Sequence, residues 1–158
     1  MAGILAGAMI RGIQRNGVAA TIKHFCCNNK ETNRRYSDSR VSERALREIY
    51  LKVFEIAYKT GHFWSLMTSY NIVNGQRCSE SSDLLDGILR KEWGFDGVVM
   101  TDWWNGGEQY KEINAGNDIK MGCGYPERVN QAFEMGLVSE EKITESAKRV
   151  LELILRLK

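Results

Sequence analysis

Three apolar residues, Val98-Val99-Met100, are entered through Gly94 and Gly97 and stop at Asp102, which two indoles, Trp103 and Trp104, follow. A short run with no polar alternation is the pattern of a strand buried on both faces of a parallel sheet. Its abrupt end puts a carboxylate at the strand's carboxyl terminus beside flat apolar walls, a place where α/β proteins do their chemistry. An Asp after a strand also caps the helix that follows, and the residues by themselves leave both readings open.

The motif recurs. Val18 to Ile22 reads as a strand ending in Lys23-His24-Phe25, and Trp64 to Ser69 as a second delivering Tyr70-Asn71 and the turn pair Asn74-Gly75. Asn117 to Met121 is a weaker fourth strand. Between them lie amphipathic stretches: a first helix closed by Gly17, a second over Val41–Lys59 with Gly61 beyond its end, and a third capped by Ser82 and closed by Gly94. Shorter helices follow over Glu108–Ala115 and Tyr125–Met135, and a longer one runs from Ser139. The polar segment Asn28 to Arg40 has no apolar period and reads as a long loop.

Strand and helix alternate four times at spacings suited to right-handed crossovers. The expected fold class is therefore α/β with parallel βα repeats, a four-unit half of a TIM-type (β/α)₈ barrel, forming one partial barrel domain over residues 1–158. Parallel strands bring their carboxyl ends to one rim, so Lys23, His24, Tyr70 and Asp102 converge. The inner face of an open half-barrel would leave Ile22, Leu66, Met67 and Val99 partly facing water, which predicts a homo-oligomer, foremost a dimer.

Composition narrows the function. A net charge of +2 with both signs dispersed leaves no electrostatic footprint for nucleic acid or an anionic membrane. No apolar run approaches the roughly 20 residues that span a bilayer. Cys26, Cys27, Cys78 and Cys123 lack zinc-site spacing and read as reduced, mostly buried thiols, and His24 and His62 make no ligand pair. No metal and no cofactor are expected, and the expected location is cytoplasmic.

Four pieces, Ala20 to Phe25, Ser69-Tyr70-Asn71 with Asn74-Gly75, Trp93 to Trp103, and Ala115-Gly116-Asn117-Asp118, closely resemble glycoside hydrolase family 3, in its order and over nearly the whole chain. The resemblance implies a retaining β-glycosidase acting on non-reducing terminal β-D-glucosyl or related residues. It implies that Asp102 is the nucleophile, that Lys23 and His24 bond sugar hydroxyls, that Trp103 walls the sugar site, that Tyr70 lies beside the nucleophile and that Met67 lines the same pocket. Lys23 would also help keep Asp102 ionised; apart from the resemblance it reads as a structural partner of Asp118, and the resemblance favours the first role. Glu31 is read as the partner of Arg34. The barrel half that supplies an Asp and an Arg to the sugar, and the domain that carries the acid/base Glu, have no counterpart in this sequence. Cys26-Cys27-Asn28-Asn29 also departs from the Pro-Gly-His loop of the N-acetylglucosaminidase branch. The expected partners are therefore a carbohydrate substrate and either a second copy or the missing barrel half and acid/base domain. The alternative is a non-catalytic half-barrel remnant, or one piece of a split enzyme that is inactive alone.

Overall fold

The computed structural model describes residues 1–157. Helix α1 (Ala2–Gln14) leads to strand β1 (Thr21–Phe25). After the polar loop and a two-residue strand β2 (Asp38–Ser39), helix α2 (Glu43–Ala45) runs through a π-helical stretch, Leu46–Tyr50, into α3 (Lys52–Gly61). Next come β3 (Ser65–Thr68), the hairpin β4 (Ile72–Val73) and β5 (Gln76–Arg77), and a π-helical segment Asp83–Glu92. Strand β6 (Val98–Met100) and helices α4 (Gln109–Ala115), α5 (Pro126–Glu134) and α6 (Glu140–Arg156) complete the chain.

The main sheet has the order β1-β3-β6 and is wholly parallel, with Ile22, Leu66 and Val99 in one register row. The alternation of strand and helix is thus as expected, and the α/β class with it. The fourth strand is not: Asn117 to Met121 contributes a single bridge, Ile119 beside Met100. The Asp118 N–H bonds the Val99 carbonyl and the Asp118 carboxylate takes the Val99 N–H, so side chain and backbone compete for one strand edge and no ladder propagates. Asp118 is buried between Arg90 and Arg149, each 2.8 Å away, so its partners are these guanidiniums rather than Lys23. Strand β1 lies later than its apolar residues suggest and includes Lys23 and His24.

The register row Ile22-Leu66-Val99 faces the helices, where Leu66 and Val99 are fully buried with Phe25, Phe54, Leu85 and Leu89, and Met67 is buried as well. The expectation that these side chains face water is therefore corrected for Leu66, Met67 and Val99, which are buried, while Ile22 stays half-buried at the edge of the core. Gly7 makes this possible at one end. A side chain there would run into Thr60, and its absence lets α1 lie directly on α3 at Gly61.

Local details differ from the sequence reading at two caps. Gly61 belongs to α3, and His62 takes the left-handed position after it, with φ 48°. Ser81 rather than Ser82 caps the third helical segment, its hydroxyl accepting from the Leu84 N–H. Asn74 and Gly75 adopt φ of 50° and 89°, the mirror-image turn that suits a two-residue hairpin loop. The polar loop is not wholly irregular, since β2 pairs in parallel with β4 in a second small sheet. No helix among the described residues is long and apolar enough to cross a membrane.

Candidate active site

Because β1, β3 and β6 are parallel, their carboxyl ends deliver His24, Tyr70 and Asp102 to one rim. His24 Nε2 lies 3.5 Å from Asp102 Oδ2. The other carboxylate oxygen, Oδ1, accepts from the Trp103 N–H at 2.7 Å, and the Tyr70 hydroxyl donates to the Trp103 carbonyl, also at 2.7 Å. Asp102 does not cap a helix: a turn follows it, and α4 starts only at Gln109. The side chain of Asp102 is 11% exposed, so it is screened from bulk water yet reachable from the rim.

Charge is distributed to match. Burial holds the His24 imidazole below its ordinary value; Lys23 and Arg34 push the same way, against Asp102 and Glu31. The ring is thus held toward its neutral form and stands 3.5 Å from the carboxylate as a polar neighbour rather than a fixed cation. Burial, then the nearby Asp102 carboxylate, push the Tyr70 phenol up, so it remains a proton donor. Lys23 is exposed on β1, and the group in contact with Asp102 is His24 instead. Met67 is buried in β3, while Trp103 stands out from the rim, 44% exposed, with Trp104 tilted against it at 5.2 Å between ring centroids.

Several participants carry no signal in the sequence. Arg34 and Arg35 fold back from the polar loop so that their guanidiniums lie 4.5 Å and 5.4 Å from the Tyr70 ring centre. Arg34 also pairs with Glu31 at 3.2 Å, as expected. One nitrogen of Arg77 donates to the carbonyls of Arg35, Tyr70 and Asn105, tying three rim segments together. The Cys26 carbonyl does the same below, accepting from Ser69 Oγ at 2.8 Å and Asn71 Nδ2 at 3.2 Å. All four cysteines are free thiols, with Cys26, Cys27 and Cys78 buried and Cys123 exposed. Among the described residues no cluster of His, Cys, Asp and Glu is arranged to hold a metal ion.

A carboxylate fixed on one oxygen by a backbone N–H, with a neutral imidazole and a phenol beside it and an indole at its mouth, can attack an electrophilic carbon and can bind the polar edge and apolar face of a sugar. Residues 1–153 match the family model described as Glycosyl hydrolase family 3 N terminal domain. The chain belongs to glycosyl hydrolase family 3. Beta-glucosidase A of Butyrivibrio fibrisolvens is 63% identical over 134 residues, covering 85% of this chain and 16% of that protein. Beta-glucosidase B of Emericella nidulans is 46% identical over 161 residues, covering 99% and 19%. Among solved structures, beta-glucosidase 3B from Thermotoga neapolitana, in complex with glycerol, superposes with a TM-score of 0.94 at 44% identity, covering 98% of this chain and 23% of that one. This family 3 chain therefore spans less than a fifth of the length of these two curated relatives, and its α/β fold matches the corresponding part of the solved enzyme.

Proposed function

We propose that the chain carries the nucleophile side of a retaining β-glucosidase, with Asp102 as nucleophile, Lys23 and His24 as donors to sugar hydroxyls, and Met67, Tyr70 and Trp103 lining the sugar pocket. The observation that carries the reading is the convergence of His24, Tyr70 and Asp102 from three parallel strands onto one rim, in a chain whose family relatives are beta-glucosidases. In this reading the domain is half of a (β/α)₈ barrel, its substrate is a non-reducing terminal β-D-glucosyl or related residue, and its location is cytoplasmic.

The chemistry follows from the residue types. Asp102 attacks the anomeric carbon as the glycosidic C–O bond breaks, and the departing oxygen takes a proton from a general acid, leaving a glycosyl ester on Asp102. Water then opens the ester, giving its proton to the same acid, now a base, and the configuration at the anomeric carbon is retained. Trp103 offers its apolar face to the sugar C–H groups, and the neutral His24 orients a hydroxyl without competing for the negative charge on Asp102. The acid belongs some 5 to 5.5 Å from the nucleophile. Among the described residues the side-chain contacts of Asp102 are with His24 and the Trp103 N–H and include no second carboxyl, so we place the acid in polypeptide other than these residues.

That observation also favours the second reading, in which the chain alone is a remnant or one piece of a split enzyme, without turnover. Loss of a general acid costs about 10² to 10⁴ in rate, and least for leaving groups that need no proton. We therefore expect slow release of 4-nitrophenolate from 4-nitrophenyl β-glucoside, abolished in Asp102→Asn, with methyl β-glucoside untouched. Rapid hydrolysis of the methyl glucoside would refute the absent acid, and no release from either substrate would favour the remnant.

A further inference from the structure

Exposed indoles on an irregular turn keep a fixed orientation only if the backbone beneath them is held. Trp103 and Trp104 are 44% and 56% exposed, and the residues after them form no helix until Gln109. Yet below that turn lies a buried charged pair that touches nothing in the sugar pocket. Lys120 Nζ donates to Glu112 Oε2 at 2.8 Å, to the Gly107 carbonyl at 2.8 Å and to Asn105 Oδ1 at 2.9 Å, so each of its three protons has an acceptor. The other oxygen of Glu112 accepts from Asn105 Nδ2 at 2.6 Å and from Ser79 Oγ at 3.0 Å. Both ends of the Asn105 amide are thus gripped by one ion pair, and its carbonyl is gripped by Arg77.

The segment that supplies Lys120 also seats Trp104. Its next residue, Met121, accepts from the Trp104 N–H at 3.4 Å. The residue after that, Gly122, has φ 95°, and a Cβ there would come within 2.7 Å of the Trp104 indole nitrogen. A buried ion pair gains little stability over an apolar pair of the same size, because desolvation offsets attraction. What it supplies is direction, through hydrogen bonds of fixed geometry on the residue that follows Trp104.

We propose that Lys120, together with Glu112, is a positioning residue that fixes the Trp103 and Trp104 indoles, and that the grip of the proposed sugar site on the ring beyond the cleaved bond depends on it. The grip on that ring rests on the proposed sugar site; the fixing of the indoles does not.

The test uses the chain labelled with 5-fluorotryptophan, whose four indoles, Trp64, Trp93, Trp103 and Trp104, give separate fluorine resonances assigned by single Trp→Phe variants. In Lys120→Met the Trp103 and Trp104 lines are expected to broaden or split while those of Trp64 and Trp93 stay in place. Glu112→Gln, which keeps the volume and most hydrogen bonds, should do the same more weakly and serves if the first variant does not fold. Unchanged Trp103 and Trp104 lines in a folded variant, or equal changes in all four, would overturn the positioning role. Titration with glucose and with cellobiose then tests the grip. The wild-type chain should bind cellobiose several-fold more tightly, with both rim indoles shifting, and Lys120→Met should erase that difference while leaving glucose affinity in place. Equal loss for both sugars overturns the grip. If neither sugar moves a rim indole in the wild type, the sugar site and the grip fall together, while the line shapes still decide whether Lys120 fixes the indoles.

Discussion

His24 is the residue on which the electrostatics of the rim turn. Burial favours its neutral form in the folded chain, whereas the unfolded chain holds an ordinary imidazole. The unfolded state therefore binds the proton more readily, and stability rises with pH between the lowered folded value and about 6.5. Stability from this group is fully present above the ordinary value and is lost as pH falls through the folded one. Denaturant midpoints measured from pH 7.5 down to 5 should fall more steeply for the wild type than for His24→Gln. Parallel curves would show that His24 is not held neutral. The contact between His24 and Asp102 was not legible in the sequence, where the pair is 78 residues apart, although each residue was legible as a strand end. Lys23 was expected to support Asp102 because it is the cation. The side chain that reaches the carboxylate is that of its neighbour, His24.

At the level of elements, the packing of α1 on α3 depends on two glycines at one crossing. A side chain on Gly7 would overlap Thr60 and crowd the Gly61 backbone, so Gly7→Val should cost about 1 to 3 kcal/mol, the usual range for overpacking, whereas Gly12→Ala, in open space within the same helix, should gain about 0.5 to 1 kcal/mol. Urea unfolding of both variants checks this. A neutral Gly7→Val would mean that α1 is not docked as described. The long helices and the three strands were legible because their apolar periods persist over several residues. Strands β2, β4 and β5 are two residues each, too short for any period to register, and β2 exists only because Ser39 and Asp38 find partners in the hairpin. The Lys120–Glu112 pair was invisible for a related reason: it joins a helix to a segment that reads as a weak strand, and only tertiary packing makes it buried.

For the whole molecule, the exposed large apolar side chains lie on helices and connecting segments, and none is on β1, β3 or β6. Ile4, Leu5 and Met9 of α1 and Leu151, Ile154 and Leu155 of α6 lie open to solvent. Contiguous apolar faces of this kind seldom stay open to water. If a second copy covers them, the chain is a dimer in solution, as expected from its sequence though through different residues. Light scattering at tens of micromolar, where exposed surfaces associate, should give the dimer mass, and Leu5→Glu with Leu155→Glu should return it to monomer. A monodisperse monomer in the unmodified chain would remove this assembly.

The central claim is that Asp102 is a nucleophile, and it can be tested on this chain without any acid. From a 2,4-dinitrophenyl 2-deoxy-2-fluoro-β-glucoside the dinitrophenolate departs unprotonated as the nucleophile bonds the anomeric carbon, and the fluorine slows hydrolysis of the ester that forms, so the sugar stays on the residue that attacked. Intact mass followed by tryptic peptide mapping should find one fluoroglucosyl group on the peptide Glu92 to Lys111, on Asp102, and none in Asp102→Asn. Label on any other carboxylate, or the same label in Asp102→Asn, would contradict the claim.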